Sequence, residues 1–295
     1  AFDRIDKKET RSRWLNRYRL GEIGSCSHRL ENRIPRYSRK DTLQFAELPL
    51  VVKRAISGAD LNDSMNWTDW QTLSIENPFT ANSLRETLDG GQAFRWSLEQ
   101  EDIWQGTWGL HLTQLRLDPT QSLQFRHPSK NRFTTEQAIR DYLLLDTDWN
   151  AIIDQLPWRS DSHLQSSIQA FPELRLLNQP FAETLLGFMC SATKQIPQIK
   201  IMCANLANKL GDEIVDGAHA LPTWEQIAQS SEETLRSLGL GFRAKNIKRT
   251  ADLIVQDPGC LDTIETLPYE EAKERLLVFP GVGSKIADCT LLFGA

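Results

Sequence analysis

The residues with the clearest chemical potential are Lys285 and Cys289, which lie four residues apart near the end of the sequence. The preceding segment, Pro280-Gly281-Val282-Gly283-Ser284, contains two glycines that can turn the backbone where a Cβ atom would clash. The pattern predicts a helix, a tight hairpin and a second helix with Ser284 as its N-cap. Free amides at such a helix start can bind phosphate, so Gly281, Gly283 and Ser284 are candidate phosphate contacts. A lysine and a thiol one turn apart beside that site suggest chemistry on nucleic acid.

The second helix of this hairpin is rich in apolar residues, among them Ile286, Leu291 and Phe293. A lysine amine held close to apolar side chains loses part of its preference for the charged form. The neutral amine can attack an electrophilic carbon and form a Schiff base. The residues alone leave a second interpretation open, in which Lys285 is an ordinary solvated lysine.

Length and composition indicate a globular protein with room for two domains, since the chain has 295 residues, 40% hydrophobic and 25% charged. No apolar run approaches the roughly 18 residues of a membrane span, so we expect no membrane partner. The five cysteines show no metal-ligand spacing, which favours reduced intracellular thiols and no metal site. They are Cys26, Cys190, Cys203, Cys260 and Cys289.

The net charge of −5 does not by itself indicate nucleic acid, but the charge is unevenly distributed. Residues 1–60 carry 14 Lys and Arg against 8 Asp and Glu. Arginines from Arg11 to Arg19 interleave with Trp14 and Tyr18, a combination that can bind nucleic acid. We favour a solvated tail or the end of a preceding domain, and leave residues 1–65 as an unassigned basic N-terminal extension.

Hydrophobic periodicity divides the rest of the chain in two. Alternation of apolar and polar residues predicts an antiparallel sheet within residues 66–158, preceded by a short helix and followed by another. Residues 159–295 read as an all-α domain. The fold class is therefore α+β. The predicted strands are 92–96, 103–108 and 110–117, and the predicted helices are 83–88, 135–145, 181–190, 196–210, 224–238, 244–255 and 269–278.

Four motifs follow one another along the chain. They are Gly91-Gln92-Ala93-Phe94-Arg95-Trp96, the stretches Asp161–Gln165, Arg175–Leu177 and Pro180–Glu183, Leu238-Gly239-Leu240-Gly241-Phe242-Arg243-Ala244, and Phe279 to Cys289. They resemble, in the same order, motifs of the 8-oxoguanine DNA glycosylase family, and Phe279 to Cys289 closely resembles that family's helix-hairpin-helix. The resemblance covers about Trp67 to Ala295 and implies a TBP-like antiparallel sheet domain followed by a helix-hairpin-helix glycosylase domain.

The resemblance implies a base-excision repair enzyme that flips 8-oxoguanine out of duplex DNA. Lys285 would attack the anomeric carbon, expel the base and form an imine from which β-elimination nicks the strand. Cys289 would lie against the flipped base and form a charge pair with the lysine. The carbonyl of Gly91 would meet the purine N7–H. Without the resemblance, Gly91 would be interpreted as a turn glycine beside Gly90.

The resemblance also implies contacts to the distorted duplex. Phe242 would fill the gap left by the flipped base, and Arg243 would bind the unpaired cytosine. In the alternative, Phe242 packs inward. The chain departs from the family at two candidate DNA contacts, with Thr193 in place of Asn and Gln198 in place of Arg. Lys194 could add a phosphate contact or be a solvated loop lysine.

The expected partner is damaged double-stranded DNA, and no cofactor is implied. We expect a monomer inside the cell, in the nucleus of a eukaryote or in the cytoplasm or nucleoid of a prokaryote. The family's catalytic Asp would lie beyond Ala295, so we expect a C-terminally truncated chain, beginning at Ala1, that is inactive on its own. For Asp288 we expect a local hydrogen-bonding role and no substitution for that Asp.

Two alternatives remain open. One is another helix-hairpin-helix glycosylase, specific for pyrimidines or alkylated purines. An alkylpurine enzyme would not carry a lysine at position 285, and an endonuclease III-like enzyme would lack the sheet domain, while its iron–sulfur cysteines would lie beyond Ala295. The other is a non-catalytic DNA-binding module.

Overall fold

The computed structural model describes residues 65–76, 78–100 and 102–295. The predicted features of residues 1–64, including the arginines and aromatics between Arg11 and Arg19, lie outside these residues. A five-stranded antiparallel sheet with the order β1-β5-β4-β3-β2 comes first, and helices form most of the remainder, so the α+β fold class is confirmed. Its strands are β1 (Gln71–Thr72), β2 (Trp96–Gln100), β3 (Ile103–Trp108), β4 (His111–Leu117) and β5 (Leu123–Arg126).

One face of the sheet is apolar, as strand alternation allows. The other is mostly polar, although Leu112 on it is buried against Met65, Val215 and Ala218. The register places Leu115 opposite Phe125 and Gln114 opposite Arg126. Leu115 and Phe125 are buried in a core with Trp96 and Trp104, whereas the polar pair lies on the other face. Four helices accompany the sheet in the chain: α1 (Ala81–Asp89), α2 (Glu136–Leu143), α3 (Trp149–Asp154) and α4 (Ser162–Ala170).

A second core joins most of the remaining helices. Alanines and leucines such as Ala244, Ala287 and Leu185 are fully buried in it. None of the described helices is long and apolar enough to cross a membrane. The helices are α5 (Phe181–Ser191), α6 (Ile196–Leu210), α7 (Trp224–Gln229), α8 (Glu232–Leu235), α9 (Arg243–Gln256), α10 (Cys260–Thr266), α11 (Tyr269–Leu277) and α12 (Ser284–Gly294).

Three local predictions were wrong. The second half is not all-α, because β6 (Glu213–Val215) and β7 (Ala218–His219) form a hairpin within it. The predicted helix 224–238 breaks at Ser230, which is extended, and Ser231 starts α8 by accepting a hydrogen bond from the Thr234 amide. The predicted strand 92–96 is regular only from Trp96 onward.

Buried polar contacts join the sheet to the helices. The amide of Gly109, in the β3–β4 turn, donates to Glu183 Oε1 on α5 over 2.9 Å. Arg95 donates to the His219 carbonyl over 2.6 Å. Burial raises the pKa of Glu183 to about 7, although the charge of Arg95 opposes that rise. The two halves are therefore connected at a site where one carboxyl group titrates near neutral pH.

Candidate active site and DNA-binding surface

The hairpin between α11 and α12 is held in place by α9. Gly281 has φ +84°, and a Cβ atom there would lie 2.7 Å from Asn246 Nδ2. One turn further along α9, Thr250 Oγ1 donates to the Pro280 carbonyl over 3.2 Å. Both the backbone conformation and the close approach of α9 therefore require glycine at position 281.

The start of α12 is open. Its N-cap is Gly283 rather than the predicted Ser284, which is the first helical residue, and no side chain caps the helix. Gly281, Gly283 and Ser284 are all exposed. The first amides of an 11-residue helix thus remain available to an anion, and the helix dipole adds to the attraction.

Lys285 is exposed in the first turn of α12. The expectation that apolar neighbours would enclose it was wrong, because Ile286 and Ala287 turn into the core while Lys285 faces solvent. Cys289 follows one turn later and is half-buried. Burial raises the pKa of the Cys289 thiol, and the positive charge of Lys285 opposes that rise. The predicted charge pair stays a prediction, since burial favours the neutral thiol.

Asp288 ties the two helices of the hairpin together. Its Oδ1 accepts a hydrogen bond from Tyr269 Oη over 2.7 Å. The Lys273 ammonium lies 2.7 Å from the same oxygen. The local hydrogen-bonding role expected for Asp288 is confirmed.

Gly91 lies in the loop between α1 and β2, with φ +101°. A Cβ atom there would be 3.3 Å from Ile196 Cδ1, at the start of α6. The loop is flanked by an ion pair between the buried Lys200 on α6 and the partly exposed Asp89 at the end of α1. Glycine therefore suits position 91 for two reasons, the left-handed backbone conformation and the close approach to α6.

Two residues to which the sequence assigned no function, Gln92 and Gln179, connect this loop to α12. Gln179 Nε2 donates to the Gln92 carbonyl over 2.7 Å, and its amide donates to the Phe293 carbonyl over 2.9 Å. The Gln92 side chain also accepts from the Leu177 amide over 3.1 Å. Their only signal in the sequence was that each lies within or beside a matched motif.

Phe242 precedes α9 and is 60% exposed, so the alternative in which it packs inward is wrong. Its role as a wedge stays a prediction. Arg243 stacks on the Phe242 ring with its Cζ 4.4 Å from the centroid, but is itself only 3% exposed. It donates to the Ala192 carbonyl and to Thr193 Oγ1, the latter over 3.1 Å. The predicted contact of Arg243 with cytosine does not fit this geometry, because its bonded donors face the protein.

The loop that Arg243 holds contains two exposed candidate DNA contacts, Thr193 and Lys194. Thr193 has φ +57°, a conformation that a β-branched residue rarely adopts. Gln198 is exposed in the first turn of α6, where its Oε1 accepts from the Gln195 amide over 3.4 Å. Thr193 is therefore exposed to solvent, and its backbone conformation is strained.

Comparison with known proteins supports the family resemblance. Residues 74–185 match the family model described as the N-terminal domain of 8-oxoguanine DNA glycosylase. The N-glycosylase/DNA lyase of Saccharomyces cerevisiae is 30% identical over 243 residues, which are 72% of this chain and 62% of that protein. The chain belongs to the 8-oxoguanine DNA glycosylase family.

Two further proteins show a similar degree of likeness to this chain. The N-glycosylase/DNA lyase of Arabidopsis thaliana is 30% identical over 235 residues, or 76% of this chain and 63% of that protein. This family member thus spans a little over three fifths of the length of the curated relatives it matches. The Clostridium acetobutylicum 8-oxoguanine glycosylase/lyase was solved with double-stranded DNA containing cytosine opposite 8-oxoguanine. It superposes with a TM-score of 0.67 and 26% identity, over 78% of this chain and 80% of that one.

Proposed function

We propose that the full-length protein is a DNA glycosylase and AP lyase that removes 8-oxoguanine from damaged duplex DNA. The observation that carries this proposal is the placement of Lys285. Its amine is exposed in the first turn of α12, beside uncapped amides and one turn from the Cys289 thiol. A nucleophile beside an anion site suits attack on a sugar that is flanked by phosphates.

In the proposed reaction the hairpin amides bind the DNA backbone and Phe242 fills the gap left by the flipped nucleotide. The neutral amine of Lys285 forms a bond to C1′, and the bond from C1′ to the base breaks with its electron pair leaving on the base. Attack leaves two protons on the Lys285 nitrogen. One passes to the departing base, and the other passes to O4′ as the C1′–O4′ bond breaks, the sugar ring opens and the imine forms. Loss of a C2′ proton expels the 3′ phosphate and leaves the strand nicked.

Discrimination between damaged and normal guanine is assigned to Gly91 and Cys289. Oxidation of guanine adds a proton at N7, so a backbone carbonyl facing N7 accepts a hydrogen bond from the damaged base and meets an acceptor on the normal one. The bonds from Gln179 to Gln92 and Phe293 hold the Gly91 loop against the end of α12. Such a fixed acceptor rejects normal guanine because two acceptors then face each other.

The opposite base is assigned to exposed groups on the Ala192–Gln198 segment. Thr193 and Gln198 can hydrogen-bond the unpaired base, and Lys194 can contact a phosphate. Arg243 acts through the Ala192 carbonyl and Thr193 Oγ1, to which it donates. We assign the enzyme to a monomer inside the cell, in the nucleus of a eukaryote or in the cytoplasm or nucleoid of a prokaryote.

Borohydride trapping of the full-length protein tests the proposal. Wild type should form a covalent adduct with an 8-oxoguanine·cytosine duplex, and Lys285→Gln should form none. Lys209→Gln is a matched control, because Lys209 is exposed near the end of α6, outside the proposed site. An adduct with Lys285→Gln would show that another amine is the nucleophile.

The alternatives give different outcomes in the same assay. An adduct with oxidised pyrimidines, and none with 8-oxoguanine, would assign the enzyme to another substrate class. Binding of damaged duplex without any adduct would favour a non-catalytic DNA-binding module. Trapping opposite each of the four bases would measure how far Thr193 and Gln198 select cytosine.

A further inference from the structure

The polar face of the sheet carries two arginines stacked with two tryptophans. The Arg126 guanidinium carbon lies 5.3 Å from the ring centroid of Trp67 and 4.6 Å from that of Trp70. Arg116 lies 4.1 Å from the same Trp70 ring. These four half-buried residues form an Arg–Trp ladder beside β1, across β4 and β5. Cation–π contacts of this kind hold a guanidinium over the face of an indole.

Each arginine is fixed a second time by a glutamine on the neighbouring strand. Arg116 Nε donates to Gln124 Oε1 over 2.9 Å, and Arg126 Nε donates to Gln114 Oε1 over 2.7 Å. The strand register places each arginine directly opposite its glutamine. Within the part of the chain that the structure describes, the terminal nitrogens of neither arginine have a protein acceptor. The outer edges of both guanidinium groups are therefore free to bind a ligand.

In the part of the chain that the structure describes, neither arginine forms an ion pair. No carboxylate of residues 65–76, 78–100 or 102–295 lies within ion-pair distance of Arg116 or Arg126. Asp118 is the carboxylate that interacts with Arg116 at longer range, and it accepts hydrogen bonds from Thr120 and Ser122 instead. Burial, and then the charge of Arg116, lower the pKa of Arg126. Two fixed cations that repel each other form a ready site for an anion.

We propose that the Arg–Trp ladder binds the phosphate backbone of DNA, as a second contact outside the catalytic site. The proposal rests on the proposed function for the identity of the polyanion. Charge complementarity supports it, because guanidinium groups fixed in a plane suit bidentate contact with phosphate oxygens. Diagonal residues on neighbouring strands lie about 7 Å apart, so each cation can engage a separate phosphate. Preorganised side chains also lose little conformational entropy on binding.

The experiment is a salt titration of the full-length protein on an undamaged duplex, followed by fluorescence anisotropy. Each phosphate contact contributes about 0.9 to the slope of log K against log salt concentration. The double variant Arg116→Gln/Arg126→Gln should therefore lower the slope by roughly two. Arg132→Gln is the matched control, because Arg132 is exposed in the same region outside the ladder. An unchanged slope, or an equal loss in the control, would overturn the proposal.

Two further measurements distinguish DNA binding by the Arg–Trp ladder from a purely structural role and from the proposed catalytic function. The double variant Arg116→Lys/Arg126→Lys keeps both charges and should retain most of the salt-dependence slope. If this variant instead loses the slope and also melts at a lower temperature, the two arginines have a purely structural role. Borohydride trapping at saturating lesion duplex should be unchanged in the Gln variant. If wild type traps but the slope is unchanged, the ladder proposal alone fails. If wild type binds duplex with a ladder-dependent slope but does not trap, the catalytic proposal fails.

Discussion

The Arg243 guanidinium donates a hydrogen bond to Thr193 Oγ1 over 3.1 Å, and thereby joins the start of α9 to a loop residue with a left-handed backbone. The same α9 contacts the hairpin between α11 and α12 through Asn246 and Thr250. One helix therefore supports both the loop proposed to contact the opposite base and the turn that precedes Lys285.

Thr193→Asn should stabilise the protein by about 1 kcal/mol, because Asn adopts the left-handed conformation more readily than a β-branched residue does. Its side-chain oxygen can still accept from Arg243. Urea denaturation measures the change. Lys194→Asn is the control, since Lys194 is not among the described residues with positive φ. A loss of stability in Thr193→Asn would show that the loop is not strained.

Gly281→Ala should lower the free energy of unfolding by roughly 1–3 kcal/mol and weaken duplex binding, because φ is +84° and the new Cβ would lie 2.7 Å from Asn246. Gly283→Ala is the matched control. Position 283 has φ −103°, and a Cβ there would meet nothing within 4 Å. Equal effects in the two variants would mean that the hairpin adjusts freely.

Glu183 should make stability depend on pH. Its pKa is raised from 4.5 to about 7 in the folded chain, so folding takes up a proton between these values. Its contribution to stability is fully present below about pH 4.5 and is lost as the pH rises through about 7. The full loss across this range should amount to about 3 kcal/mol, of which about 2 kcal/mol falls between pH 5.5 and pH 8. Glu183→Gln keeps the acceptor for the Gly109 amide and should remove this dependence.

Unfolding free energies at about pH 5.5 and pH 8, which span most of the transition, measure the effect of Glu183. Glu99→Gln is a necessary control, because burial also raises the pKa of Glu99 to about 7. If Glu183→Gln retains the full wild-type pH dependence while Glu99→Gln abolishes it, the assignment to Glu183 is wrong.

Phe242→Ala should slow trapping on the lesion duplex by roughly tenfold or more, because an intercalating side chain compensates for a few kcal/mol of unstacking. Phe242→Tyr should retain most of the rate. Phe133→Ala is the matched control, since Phe133 is 58% exposed against 60% for Phe242 and lies beside the sheet. A normal rate in Phe242→Ala would exclude the wedge.

Local patterns in the sequence were enough to predict much of the fold and the composition of the site. The period-2 alternation of β3 and the boundaries of α6 agree with the structure, because each depends on residues close together in the chain. Gly281 and Gly283 likewise indicated the hairpin before α12. Patterns failed where a single polar residue decided the outcome, as at Ser231, which caps a new helix.

Tertiary structure alone decided how the site residues are arranged. Sequence patterns determine which residue types lie near one another along a helix or strand, and so placed Lys285 one turn from Cys289. They carry no information about the depth of a side chain or its partners far along the chain. Packing places the Arg243 guanidinium against the Ala192 carbonyl, and burial raises the pKa of Glu183. Strand pairing brings together the arginines of the Arg–Trp ladder. These properties depend on long-range packing, which fixes each group's distance from water and from other charges.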